Sequence, residues 1–196
     1  MTPPRPNLVG RGGWHADESL RFNDSGGERW PRETEPLRGL VLHHTSTPNS
    51  ERDPAARVKA IYEFHAVERG WGDIGYHLLI DEAGTVYEGR AGTADVFDGG
   101  PAVVGGHVHG HNGGTLGIAL LGTLIERPPS PRAWRSLVTV MAWLARRHDL
   151  DPLGNGGAFP AICAHRDLTP TPCPGEACYE LLAALRTQVA AAAAGR

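Results

Sequence analysis

Gly39-Leu40-Val41-Leu42-His43-His44-Thr45 is the stretch whose reading decides the fold. Three consecutive apolar residues, bounded by glycine on one side and polar residues on the other, read as a short buried strand. The strand releases two histidines at its C-terminal end, and loops beyond strand ends are where α/β folds usually place their chemistry.

Working outward, Asp53 is a helix N-cap with Pro54 in the first turn. Val58, Ile61, Tyr62 and His65 recur at helical spacing, which predicts a helix over 54–68 that stops at Gly70. Tyr76–Ile80 and Thr85–Glu88 read as two strands of a hairpin turned by Asp81-Glu-Ala-Gly84. Residues 89–114 hold nine glycines and read as a long surface loop. A buried strand follows at 115–121, then a helix capped by Ser130 with Trp134, Leu137, Val138, Met141 and Ala145 on its apolar face. Ala161–Ala164 is a last short strand leading into His165, and 176–194 an Ala- and Leu-rich helix. The pattern predicts a single α/β domain with a mixed central β-sheet and helices on both faces. Residues 1–36, rich in Pro, Gly, Arg and Glu, read as an extended N-terminal arm packed on the compact domain of 37–196, with Trp14 as its buried contact.

The 196 residues balance 19 basic against 22 acidic side chains, a net charge of −3. That balance argues against nucleic acid as a partner, since polyanion binders draw affinity from a basic surface. No apolar run is long enough to span a bilayer, so no membrane insertion is expected. Met1–Val9 lacks an apolar segment, so no signal peptide is read there. Three cysteines, an odd number, do not make a disulfide framework. Cys163 and Cys178 are open to two readings, a bridge or two buried thiols.

Three of the remaining residues have the chemistry of a catalytic zinc site, which takes three protein ligands and leaves a fourth position free. His43 and His165 each follow a strand. Cys173 lies within Pro170-Thr-Pro-Cys-Pro174, where the rings stiffen the backbone. Taken singly, each has an ordinary structural reading, as a hydrogen-bonded histidine or a small buried hydrophobe.

A series of blocks occurs in order: Leu40-Val-Leu-His-His-Thr45, Gly70-Trp-Gly-Asp-Ile-Gly-Tyr-His-Leu-Leu-Ile80, Val86-Tyr-Glu-Gly-Arg90, Gly105-Gly-His107, Asn112, Leu116-Gly-Ile118 and Ala164-His-Arg-Asp-Leu-Thr-Pro-Thr-Pro-Cys-Pro174. Together they resemble the N-acetylmuramoyl-L-alanine amidase type 2 family, which includes the peptidoglycan recognition proteins and T7-type phage lysozyme. The likeness runs from about Val9 to Leu182.

The resemblance implies that His43, His165 and Cys173 hold Zn²⁺, with Tyr76 and Thr171 as catalytic residues beside it. It implies hydrolysis of the lactyl–L-Ala amide of peptidoglycan by metal-activated water. The alternative is a recognition module that binds muropeptide without cutting; such members typically lack the cysteine ligand, which is present here. Tyr76 is read first as a hydrogen-bond donor to the developing oxyanion and second as a proton shuttle. Thr171, at a position that is lysine in some members, offers a hydroxyl. His107, Asn112, His44 and Trp71 are candidate substrate-binding residues, with His44 also open to a structural role. His109 and His111 are read as part of a solvated loop rather than a second metal site, His65 as packed under its helix, and His77 as facing away from Tyr76. The expected partner is the peptidoglycan glycan strand with its stem peptide, bound by a monomer acting on the cell wall outside the cytoplasm.

Overall fold

The computed structural model describes residues 4–154 and 159–195, so the first three residues of the N-terminal arm lie outside the described residues. In chain order its first elements are β1 (Thr34–Glu35), β2 (Gly39–His44), α1 (Pro54–Glu63), β3 (Leu78–Ile80), β4 (Val86–Glu88) and β5 (Ala102–Val103). They are followed by β6 (Thr115–Leu120), α2 (Pro131–Arg147), β7 (Ile162–Ala164), α3 (Glu176–Tyr179) and α4 (Leu182–Ala193). Five strands form one sheet in the order β4-β3-β6-β2-β7, while β1 and β5 pair apart from it. β3, β6, β2 and β7 run parallel, and β4 returns antiparallel to β3. The sheet is therefore mixed.

Strand alternation sends side chains to two different layers. Leu40, Leu42, Leu78, Ile80, Leu116, Ile118 and Leu120 pack with Leu137, Val140, Met141 and Leu144 of α2 and with Leu185 and Val189 of α4. On the other face Leu79, Tyr87 and Ala119 meet Val58 and Tyr62 of α1. α1 starts where its sequence says it should: the Asp53 carboxylate accepts from Ala56 N at 3.0 Å and Pro54 fills the first turn. The helical period fails at its other end, because Phe64–Glu68 is a π-turn.

The N-terminal segment is not extended throughout. It winds into 3₁₀ turns at Arg11–Trp14 and Glu18–Arg21. Trp14 is 1% exposed, donates from Nε1 to Glu88 O at 2.7 Å and meets the Tyr62 ring edge-on. A buried carboxylate ties this segment down. Asp73 Oδ1 accepts from Arg11 Nη1 at 2.9 Å, and Oδ2 accepts from Arg90 Nη1 at 2.8 Å and from Ala91 N at 3.1 Å. The Arg90 guanidinium in turn lies 3.9 Å over the Trp30 ring and donates to Trp30 O. Buried charges persist only when paired and hydrogen-bonded.

Cys163 and Cys178 are free, buried thiols, each pushed up to about 12 by burial. Among the described residues no helix is long and apolar enough to cross a membrane.

Asp73→Ala strands the fully buried Arg90 cation, and breaking such a pair costs about 3–5 kcal/mol. Urea unfolding should show a loss of that order; a loss below about 1 kcal/mol, the worth of an exposed ion pair, would mean the cluster does not hold the arm.

Candidate metal centre

The parallel pairing of β2 with β7 puts Leu42 opposite Ala164. The next residue of each strand, His43 and His165, therefore leaves the sheet beside the other, with ring centroids 4.7 Å apart. Cys173 arrives from the loop after β7. One donor atom from each of His43, His165 and Cys173 lies within 4.8 Å of the others. Cys173 Sγ stands 3.6 Å from His43 Nδ1.

The cysteine loop is fastened from several sides. Arg166 N donates to Cys173 O at 3.1 Å and its Nη2 to Pro172 O at 2.7 Å. Gly175 N donates to Pro172 O at 2.8 Å. Gly175 has φ +91°, and a Cβ there would collide with the Leu124 carbonyl, so this turn requires glycine. Asp167 Oδ2 accepts from Ala164 N at 2.9 Å and Oδ1 accepts from Tyr179 OH at 2.7 Å, fixing the 3₁₀ turn that begins at His165.

Burial sets the electrostatics. It holds His43 well below the usual histidine value, helped by the neighbouring His107 and His165 rings, and it lowers His165 as well. Both imidazoles are thus neutral and able to donate a lone pair. The same burial pushes the Cys173 thiol up to about 11; a cation close by compensates its charge and favours the thiolate. Two imidazoles and one thiolate are a borderline-soft set suited to zinc.

Tyr76 flanks the cluster, its ring 5.3 Å from that of His43. Burial, followed by the adjacent Cys173, raises its hydroxyl above the usual tyrosine value. Tyr76 also lines an open cleft of about 400 Å³ with Thr45, Thr47, Arg57, Ile61, Phe64, His65 and Arg69. Thr171 sits two residues before the cysteine, and its Oγ1 accepts from Cys173 N at 3.3 Å.

Two of the residues read as substrate-binding, His44 and His107, are buried, and a third, Asn112, is half-buried with its Oδ1 engaged. His44 is 4% exposed; its Nδ1 accepts from Leu124 N at 3.1 Å and its Nε2 pairs with Ser46 Oγ at 2.8 Å, so both ring nitrogens serve the fold. Asn112 Oδ1 accepts from His107 N and Val108 N, each at 2.9 Å, closing a loop. His107 is 6% exposed and stands behind His43 rather than in the cleft. Trp71 is half-buried and packs on His65, 5.0 Å between centroids, so it backs the cleft wall. His77 is buried, with its ring 5.3 Å from that of His107.

The cleft residues Thr45, Thr47, Arg57, His65 and Arg69 escaped the sequence reading. The helical period assigns His65 to the packed face of α1. The π-turn reorients it, so that its Nδ1 accepts from Gly75 N at 3.2 Å and its ring reaches 5.7 Å from Tyr76. Burial lowers it to about 4, with Arg69 adding to the effect.

Comparison with known proteins identifies the family and the fold. The family described as N-acetylmuramoyl-L-alanine amidase matches residues 33–176. The human protein named N-acetylmuramoyl-L-alanine amidase is 33% identical over 151 residues, which are 75% of this chain and 24% of that protein. The chain thus spans about a quarter of that relative's length. Peptidoglycan recognition protein 1 of Bos indicus is 30% identical over 178 residues, 90% of this chain and 82% of that protein. The crystal structure of Drosophila peptidoglycan recognition protein SD superposes with a TM-score of 0.70 at 28% identity, covering 90% of this chain and 92% of that one. The chain belongs to the N-acetylmuramoyl-L-alanine amidase type 2 family, in the peptidoglycan-recognition-protein fold.

Proposed function

We propose that this chain is a zinc-dependent N-acetylmuramoyl-L-alanine amidase that hydrolyses the amide between the lactyl group of N-acetylmuramic acid and L-alanine of the stem peptide. The observation that carries the reading is the convergence of His43, His165 and Cys173 donor atoms within 4.8 Å, beside Tyr76, which also lines the open cleft. Three donors of this kind would hold zinc and leave a coordination position free. A bound zinc ion supplies a Lewis acid for the scissile carbonyl and makes water a nucleophile at neutral pH.

The chain's own residues would supply the rest. Tyr76 keeps its proton, since burial disfavours the phenolate. Its first role is therefore as a donor to the carbonyl oxygen as charge develops there, and its second as a proton shuttle. Thr171, held against the Cys173 backbone, adds a second hydroxyl on the opposite chain segment. Arg69 gives the cleft positive charge that suits the carboxylates of a stem peptide, while Arg57 is paired with Glu51 at 2.6 Å and Ile61 and Phe64 offer apolar contact.

Several relatives are named for peptidoglycan recognition, and the second reading is recognition without cleavage. The cysteine weighs for hydrolysis, because a module that only grips muropeptide has no use for a third ligand at the sheet edge. The substrate is peptidoglycan, glycan strand plus stem peptide, met outside the cytoplasm by a monomer.

Digestion of purified sacculi should release stem peptides with a free L-Ala amino terminus, seen by mass spectrometry. Cys173→Ala should lose both the bound zinc and these products. Zinc-loaded wild type that yields none of them, while still binding muropeptide, supports recognition alone. Tyr76→Phe should lower kcat by about 10²–10³, the cost of one oxyanion donor, with zinc content unchanged; full kcat in that variant removes the role.

A further inference from the structure

His107 lies in the Gly-rich segment between β5 and β6 and has no place in the cleft. Its ring meets that of His43 edge-on, 5.1 Å between centroids at 88°. His43 points Nδ1 at Cys173 Sγ and presents Nε2 to His107 Nδ1 at 3.0 Å. With Nδ1 committed to the donor cluster, the proton of the neutral His43 ring belongs on Nε2 and is donated to His107 Nδ1. His107 then carries its own proton on Nε2, which faces Thr115 Oγ1 at 3.3 Å. Thr115, itself fully buried, donates its hydroxyl to His111 O at 2.6 Å. This one assignment of hydrogens satisfies every group from the cluster to the backbone.

The ring's seat is built for it. A Cβ on Gly117 of β6 would stand 2.5 Å from His107 Cγ, so the imidazole occupies space that only glycine leaves. His77 closes another side, 5.3 Å between ring centroids. It is itself locked, with Nδ1 accepting from Gly117 N at 2.9 Å and Nε2 donating to Val103 O at 2.6 Å. Asn112 Oδ1 holds the His107 and Val108 amides at 2.9 Å.

We propose that His107 is a positioning residue for the metal centre: by accepting from His43 Nε2–H it holds His43 in the tautomer and rotamer that aim Nδ1 at the ion. Partners of this kind fix ring orientation and raise ligand basicity. The role rests on the zinc reading given above.

The test is zinc affinity, measured by competition with a chromophoric chelator at fixed pH, for wild type and for His107→Ala, His107→Gln and His107→Asn. Asparagine places its carbonyl oxygen where the imidazole has Nδ1, whereas glutamine reaches only the Nε2 position. Alanine and glutamine variants should bind zinc about 10–100-fold more weakly, the usual cost of losing such a partner, with asparagine restored to within about threefold of wild type. If alanine does not fold, as judged by circular dichroism, the asparagine and glutamine pair carries the comparison. Equal affinity in all variants, or glutamine rescuing as well as asparagine, overturns the proposal. Wild type that takes up no zinc overturns it together with the zinc reading, whereas tight wild-type binding with unaffected variants overturns this role alone.

Discussion

Parallel pairing of β2 and β7 is the constraint from which the centre follows. Residues 40–42 are matched with 162–164, which brings two histidines 122 positions apart (165 − 43) to one sheet edge in adjacent rows. A shift of one residue would turn every side chain of β7 to the other face. Ile162 would then leave the packed layer under α4, so the core and the centre hold the same register. Cys173 is brought to them by a short loop whose carbonyls are held by Arg166 and Gly175. Packing energy thus supplies the precision that a metal-type site needs.

The second organising element is electrostatic. One buried carboxylate, Asp73, joins Arg11 of the N-terminal segment to Arg90 after β4. Asp73 lies three residues before Tyr76, and Gly89 and Arg90 donate to the carbonyls of His77 and Tyr76. The ion cluster and the placement of the tyrosine are therefore consecutive features of one stretch of backbone. These hydrogen bonds carry the β3–β4 register on past the strand ends to Tyr76 and Arg90.

Much of this was legible in the sequence, for physical reasons that differ by residue. Short apolar runs ending in His43 and His165, and the prolines around Cys173, carry local signals of strand ends and a stiff loop. Caps at Asp53 and Ser130 mark helix starts directly, and both accept the expected amides. What stayed hidden depends on contacts across the chain. His107 looks like one member of a His-x-His-x-His alternation. Its partner is 64 residues away, and the glycine that admits it lies within β6. His65 escaped because a π-turn breaks the helical period at that point. Asn112 and His44 carry polar groups that the fold itself uses, and a bare sequence does not tell such a group from one aimed at a ligand.

The match to the family begins at residue 33, whereas Arg11 and Trp14 are already interior residues of the molecule. The packed interior therefore begins ahead of the segment that the family model matches. Trimming a recombinant version at that boundary would open Asp73, Arg90 and the flank of Tyr62 to water. Arg11 and Trp14 thus belong to the scaffold that the sheet packs against.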